Sequence, residues 1–325
     1  MSTSVLPSVN IVREHGPLTS EYGWTEPDEL IRLTVPGASC TLTTYGATVV
    51  DWKNPYCERA LWLSSLSAHG ASGPIRGGVP IAFPQFAAQG QLPLHGFARE
   101  QTWTVVSISS AESKADTHAQ VTLQLEANDV TRAAWPHEFV LRYTVRLEPT
   151  SLRLSLDIEN VDTSSWDFTS CLHTYLRVQN IDAVSLRGLK GVTFTDKVDG
   201  CKEKVETNDL LRVPSASCES SPKGDGVEGF VDRIYHKPQE TLVMEDEAAS
   251  LTWTVKQSTS WTDTTVFNPW KYGKLGARGP DFDDDGYKLM LCIEPTVAAA
   301  PLLLKPGEKF TGTQLIQVKK RSQGS

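Results

Sequence analysis

The chain has 325 residues, with 31 Lys and Arg against 39 Asp and Glu, a net charge of −8. An acidic balance argues against non-specific binding to nucleic acid or to anionic membranes, and leaves any anion site to a few locally placed Arg or Lys side chains. With 39% hydrophobic and 22% charged residues the composition is globular, in a chain long enough to bury a core without metal or disulfide.

The first residues, MSTSVLPSVNIVREHG, lack a basic segment followed by an apolar one, so no secretory signal is expected. Residues 1–20 read as a short extension to a single domain spanning 1–325. Period-two alternation begins at 29–35 and 38–44 and returns at 119–126, 138–148, 151–160, 250–256 and 309–318. It is clearest in SLRLSLDIEN, where Leu152, Leu154, Leu156 and Ile158 share one face and Arg153, Ser155, Asp157 and Glu159 the other. Such alternation is the pattern of half-buried antiparallel strands. Pro36-Gly37, Asn54-Pro55 and Pro306-Gly307 mark turns between them. Residues 61–71 and 128–134 suit short helices, and no longer segment keeps a 3.6-residue period. The predicted architecture is all-β, a large antiparallel β-sandwich. No apolar run reaches membrane-spanning length.

Residues 70–99 form a Gly- and Pro-rich loop that carries aromatics and two arginines, content that points to function. Residues 214–229 read as a polar surface loop. Within it, Gly224-Asp-Gly226-Val-Glu-Gly229 matches a dinucleotide-binding spacing but has no helix pattern after it, so that reading is set aside. Asp281 to Gly286 begins like a calcium-binding loop, but Cys292 stands where the bidentate Glu is required; a solvated acidic turn is the expectation. The six cysteines, at 40, 57, 171, 201, 218 and 292, contain no C-x-x-C pair, and Cys171 and Cys292 read as buried apolar residues.

Chemistry-bearing residues gather in five segments. They are RGGVPIAFPQF at 76–86, LHGFAR at 94–99, SCLHTY at 170–175, DRIY at 232–235, and CIEP at 292–295 preceded by FNPW at 267–270. A strand over 166–178 would put Thr169, Cys171, His173, Tyr175 and Arg177 on one face, a polar set that could line a cleft. A hydrogen-bonded structural histidine is the other reading. Glu294 closes an apolar strand and is costly to bury unless paired or functional, with Pro295 ending the strand; an exposed strand-end charge is the alternative. Arg76 and Arg99 flank one loop and have the planar fork that suits phosphate, although isolated arginines are usually surface charges.

Together, in this order, the five segments resemble the aldose 1-epimerase superfamily, with its galactose mutarotase-like fold, and most closely its glucose-6-phosphate 1-epimerase branch. The resemblance spans residues 76–295. It implies a β-sandwich whose concave face holds the sugar, His173 as general acid and Glu294 as general base, and no cofactor or metal. It implies that Arg76 and Arg99 hold a sugar phosphate, and that Gln85, His95 and Asp232 contact the sugar or support the site. Phe267 stands where relatives often have Trp, and Leu94 where Gln is common. On this reading a hexose 6-phosphate is the only partner, with neither nucleic acid nor membrane, and the protein is a cytoplasmic monomer. Glu294 is expected to be ionised and His173 protonated at rest. A mutarotase of unphosphorylated aldoses, a non-catalytic sugar-binding protein, and a glycoside hydrolase using Asp232 as a second carboxylate remain open from sequence.

Overall fold

The computed structural model describes residues 8–12, 29–67, 73–113, 116–213, 230–270 and 279–321. Three antiparallel sheets make up its framework. The four-stranded sheet runs Ser8–Val12, Leu30–Val35, Ala38–Thr43 and Val49–Lys53. Ser8–Val12 pairs with Val12↔Leu30 through Ser8↔Thr34, so part of the expected N-terminal extension is an edge strand. The nine-stranded sheet has the long strands Lys309–Lys320, Ser151–Asn160 and Phe139–Glu148 near its middle. The eight-stranded sheet is centred on Asp263–Asn268, Met290–Leu304 and Trp166–Leu172.

The alternation read from sequence decides which face is buried. Leu152, Leu154, Leu156 and Ile158 are fully enclosed, as are Leu141, Tyr143, Val145 and Leu147 on the neighbouring strand, in register Leu141↔Ile158 to Leu147↔Leu152. Each such side chain contributes about 1.5–3 kcal/mol by leaving water. Phe168 and Phe310 carry the same core across to the eight-stranded sheet, their rings edge-on at 5.5 Å. One helix forms as expected, Asp129–Ala134, capped by Asn128, whose side chain accepts from the Val130 and Thr131 N–H groups.

Three expectations change. Residues 61–67 form no helix; Leu61 and Leu63 bridge to Leu176 and Gly77, because an apolar run can serve a strand edge as well as a helix. The strand expected over 166–178 breaks at His173 and Thr174, giving Trp166–Leu172 and Tyr175–Arg177. Nor does Pro295 end a strand: Met290–Leu304 runs through it. The Ile293 N–H points to Thr174 O at 3.2 Å, toward that break, and two residues on the Pro295 nitrogen faces the same side. A proline there removes no ladder bond. The loop at 214–229 lies outside the described residues.

Candidate active site

The break at His173 is held from both sides. The His173 N–H donates to Pro80 O at 2.9 Å, and the Thr174 hydroxyl donates to Gln314 Oε1 at 2.7 Å. Alternation survives the interruption, so His173 and Tyr175 still face the same way and stack at 4.5 Å with 5° between the rings. Glu294 sits on the adjacent strand opposite Thr265. Its side chain is 1% exposed, not the strand-end surface charge that was one sequence reading.

His173 Nδ1 and Glu294 Oε1 lie 3.1 Å apart, out of hydrogen-bond alignment, so both buried atoms lack a hydrogen-bond partner. The second carboxylate oxygen accepts from the Cys171 thiol at 3.0 Å. Leaving such atoms unsatisfied costs about 1–3 kcal/mol each, and a site of this kind needs a reason to exist. Both groups face a cavity of about 150 Å³. Phe86, Phe267 and Thr265 wall it beside them, and Leu94, 48% exposed, stands at its rim.

The loop that carries Arg76 and His95 is built on close backbone crossings. A Cβ on Gly78 would stand 2.0 Å from Val49 O, and one on Gly96 2.3 Å from Phe83 O. Both have positive φ, so only glycine fits. His95 itself is held at φ 65°, a strained value for a histidine. Its Nδ1 accepts from the Ala87 N–H at 3.2 Å, which leaves the proton on Nε2, and its ring stands 5.2 Å from that of His173.

The structure brings Arg76, His95, His173, Asp232 and Glu294 to this one cavity. Gln85 and Arg99 stand behind its wall. The Gln85 amide braces the loop, donating to Ala87 O and Leu92 O and accepting from the Leu92 N–H. Arg99 donates to Leu94 O at 2.6 Å, and its Nε is buried without a partner. Arg76 grips Asp281 through Nε at 3.1 Å and Nη2 at 3.3 Å. The expected solvated acidic turn is therefore partly structural. Asp281 is tied to the site, and Asp283 accepts from the Ser65 N–H at 3.0 Å as well as from its hydroxyl.

Lys197 is the cavity residue that sequence reasoning missed. It pairs with Asp232 at 2.8 Å and lies 5.5 Å over the Phe86 ring. No local pattern marks it; only the pairing of Thr193–Asp196 with Val231–His236 brings it to Asp232.

Protonation differs from the expectation. Burial pushes the Glu294 carboxyl up to about 8, with Asp232 adding to the rise and the Cys171 thiol and Lys197 opposing it. Burial also drives His173 well below the usual imidazole range, helped by His95 and by the positive charges of Arg76, Arg99 and Lys197. His95 is lowered in the same way. At neutral pH burial therefore favours the proton on Glu294 and an uncharged His173, because a charged pair in so dry a place has lost its water. Donor atoms of His173, Cys292 and Glu294 lie within 4.8 Å of one another, close enough to share a metal ion. The surrounding positive charge makes the pocket better suited to an anion than to a divalent cation.

The sequence pattern of the family described as Aldose 1-epimerase matches residues 29–317. The chain is 32% identical over 313 residues to an Escherichia coli protein named "Putative glucose-6-phosphate 1-epimerase", covering 96% of this chain and 97% of that one. A Cenchrus ciliaris protein of the same name is 32% identical over 277 residues, 82% of this chain and 78% of its own. The crystal structure of a "putative mutarotase" from Salmonella typhimurium superposes with a TM-score of 0.77 at 30% identity, covering 90% of this chain and 91% of that one.

Proposed function

This chain belongs to the aldose 1-epimerase family, and from that premise we propose that it interconverts the α and β anomers of a hexose 6-phosphate, with glucose 6-phosphate as its substrate. The observation that carries the reading is the facing pair of atoms His173 Nδ1 and Glu294 Oε1, 3.1 Å apart and each without a hydrogen-bond partner, on the wall of a cavity shared with Arg76 and Lys197. Opening a pyranose ring needs one proton taken from the C1 hydroxyl and one delivered to the ring oxygen. Glu294 takes the first and His173 gives the second; the C1–O5 bond breaks and an aldehyde forms. Rotation about C1–C2 presents the other carbonyl face, and closure reverses both transfers. Positioned acid–base catalysis of this kind gives about 10²–10⁴-fold. Arg76, with Arg99 behind it, and Lys197 supply the charge that receives a phosphate dianion. Gln85 and His95 shape the loop that forms one wall, and Asp232 holds Lys197 in place.

The working unit is a monomer in this proposal, since one chain supplies every residue of the cavity. The cytoplasm is its location, where ionised sugar phosphates are found. Among the described residues no helix is long and apolar enough to cross a membrane.

Exchange NMR on equilibrated glucose 6-phosphate reads the reaction directly. Exchange between the anomer signals should accelerate with enzyme concentration; equal rates with and without enzyme defeat the proposal. A neutral aldose is the second reading, favoured by Arg76 already having Asp281 as its partner. Glucose turned over faster than its 6-phosphate in the same assay would select it.

A further inference from the structure

Resting on that reading, we propose that the substrate's phosphate is also the switch of the acid–base pair. A dianion seated near Arg76, Arg99 and Lys197 moves the shared proton from Glu294 to His173, so the enzyme gains activity on unphosphorylated glucose when a separate dianion fills that place.

The geometry sets the need. The mechanism requires an ionised Glu294 and a protonated His173, and burial favours the opposite arrangement. No protein hydrogen bond fixes the proton on either atom of the 3.1 Å gap. Its position is therefore set by the surrounding field. His173 faces the neutral His95, the Tyr175 ring and hydroxyl, and Phe267, none of which supplies negative charge. Glu294 faces the Cys171 thiol, Cys292, and the Asp232–Lys197 pair.

Each positive charge around the cavity has a carboxylate partner, and the pairing is loosest at Arg99. Arg76 has Asp281 and Lys197 has Asp232, but Arg99 has only a carbonyl and the distant Glu100 carboxylate, 3.9 Å away. The field of Arg76, Arg99 and Lys197 still disfavours a proton on His173. A phosphate dianion counters it. The transfer balances without help: the Glu294 O–H bond breaks, the His173 Nδ1–H bond forms, and a neutral pair becomes an ion pair of the same total charge. Binding energy at the phosphate thus appears in turnover as well as in affinity.

The test uses the intact enzyme, glucose, and phosphite as the separate dianion, with the enzyme-free phosphite rate subtracted. Exchange NMR of the glucose anomers should show saturable activation of up to about tenfold, the largest change in protonated fraction that accompanies a one-unit rise at His173. In sugar-free enzyme, the ¹⁵N signals of the His173 imidazole should move from neutral to protonated values as phosphite is added. Arg76→Gln should raise glucose turnover without phosphite and lose most of the activation; Lys197→Gln serves if that variant does not fold. Glucose 6-phosphate turned over normally, with no phosphite activation and an unmoved imidazole, overturns the switch and leaves the proposed function standing. Failure on glucose 6-phosphate itself defeats the proposed function, and the imidazole signal then still decides whether an anion moves the proton.

Discussion

Between Leu152 and Ile158 the enclosed side chains are Leu152, Leu154, Leu156 and Ile158, and the buried polar residues at the strand ends, Ser151 and Asn160, are both hydrogen-bonded. Along Met290–Leu304 the enclosed stretch includes Cys292, Glu294 and Thr296. Both strands lie deep in large sheets, yet the first buries apolar groups and polar ones that are hydrogen-bonded, and the second buries a carboxyl with one oxygen left without a hydrogen-bond partner. The contrast separates what makes the fold stable from what makes the site reactive. Stability gained along the first kind of strand offsets the cost held in the second.

The contrast can be broken at either end, and the largest effect is expected at Glu294. Glu294→Gln keeps the shape and removes the proton acceptor, so anomer exchange of glucose 6-phosphate should fall by about 10²–10⁴-fold with the circular-dichroism spectrum unchanged. Exchange at the original rate removes Glu294 from the mechanism. On the other face, Leu154→Ala should cost about 2–5 kcal/mol in urea unfolding while turnover of the folded fraction stays the same. A loss of turnover without a loss of stability would mean that the two faces are not separable.

The effect of pH on stability sharpens the same comparison. Glu294 is raised in the folded protein, so its contribution is complete below its unfolded value near 4.5 and is lost as pH climbs through about 8. His95 and His173 are lowered, so their contribution is complete above about 6.5 and is lost as pH falls toward their folded values. Below about 6.5 the two histidines oppose the raised carboxyls of Glu294 and Asp232, and above it the histidines no longer contribute a slope. The melting temperature should fall above that pH, and Glu294→Gln should flatten the alkaline side. A curve of unchanged slope in the variant contradicts the buried, protonated carboxyl. The smallest effect is expected at the rim: Asp281→Asn releases Arg76 from its internal partner and should lower KM for glucose 6-phosphate about threefold, as expected when a partly exposed ion pair stops competing for a charge. A raised KM would show that Asp281 aims Arg76 instead of competing for it.

The strands were legible because period-two alternation is a local consequence of burying one face, and 151–160 is found in the structure with the same limits. The helix expected at 61–71 does not form over its described residues, 61–67, since an apolar run has no period strong enough to choose. His173 and Glu294 stood out singly, one as a histidine beside a tyrosine and the other as a carboxyl in an apolar strand. Arg76 stood out from its glycines, but its partner Asp281 is 205 residues away and could not be read from the chain.

The sequence by itself determined the all-β class, the inward faces of its long strands and the kinds of side chain available for proton transfer and anion binding, because these depend on neighbours a few residues apart. Tertiary structure alone decided that His173 meets Glu294 across 121 residues of chain, that Lys197 joins them, and that Arg99 stands behind the wall. It also decided the protonation of the pair, keeping on Glu294 a proton that its reference value would release. Charge state depends on how much water and how many distant charges surround a group, and those are fixed only when the sheets close around it.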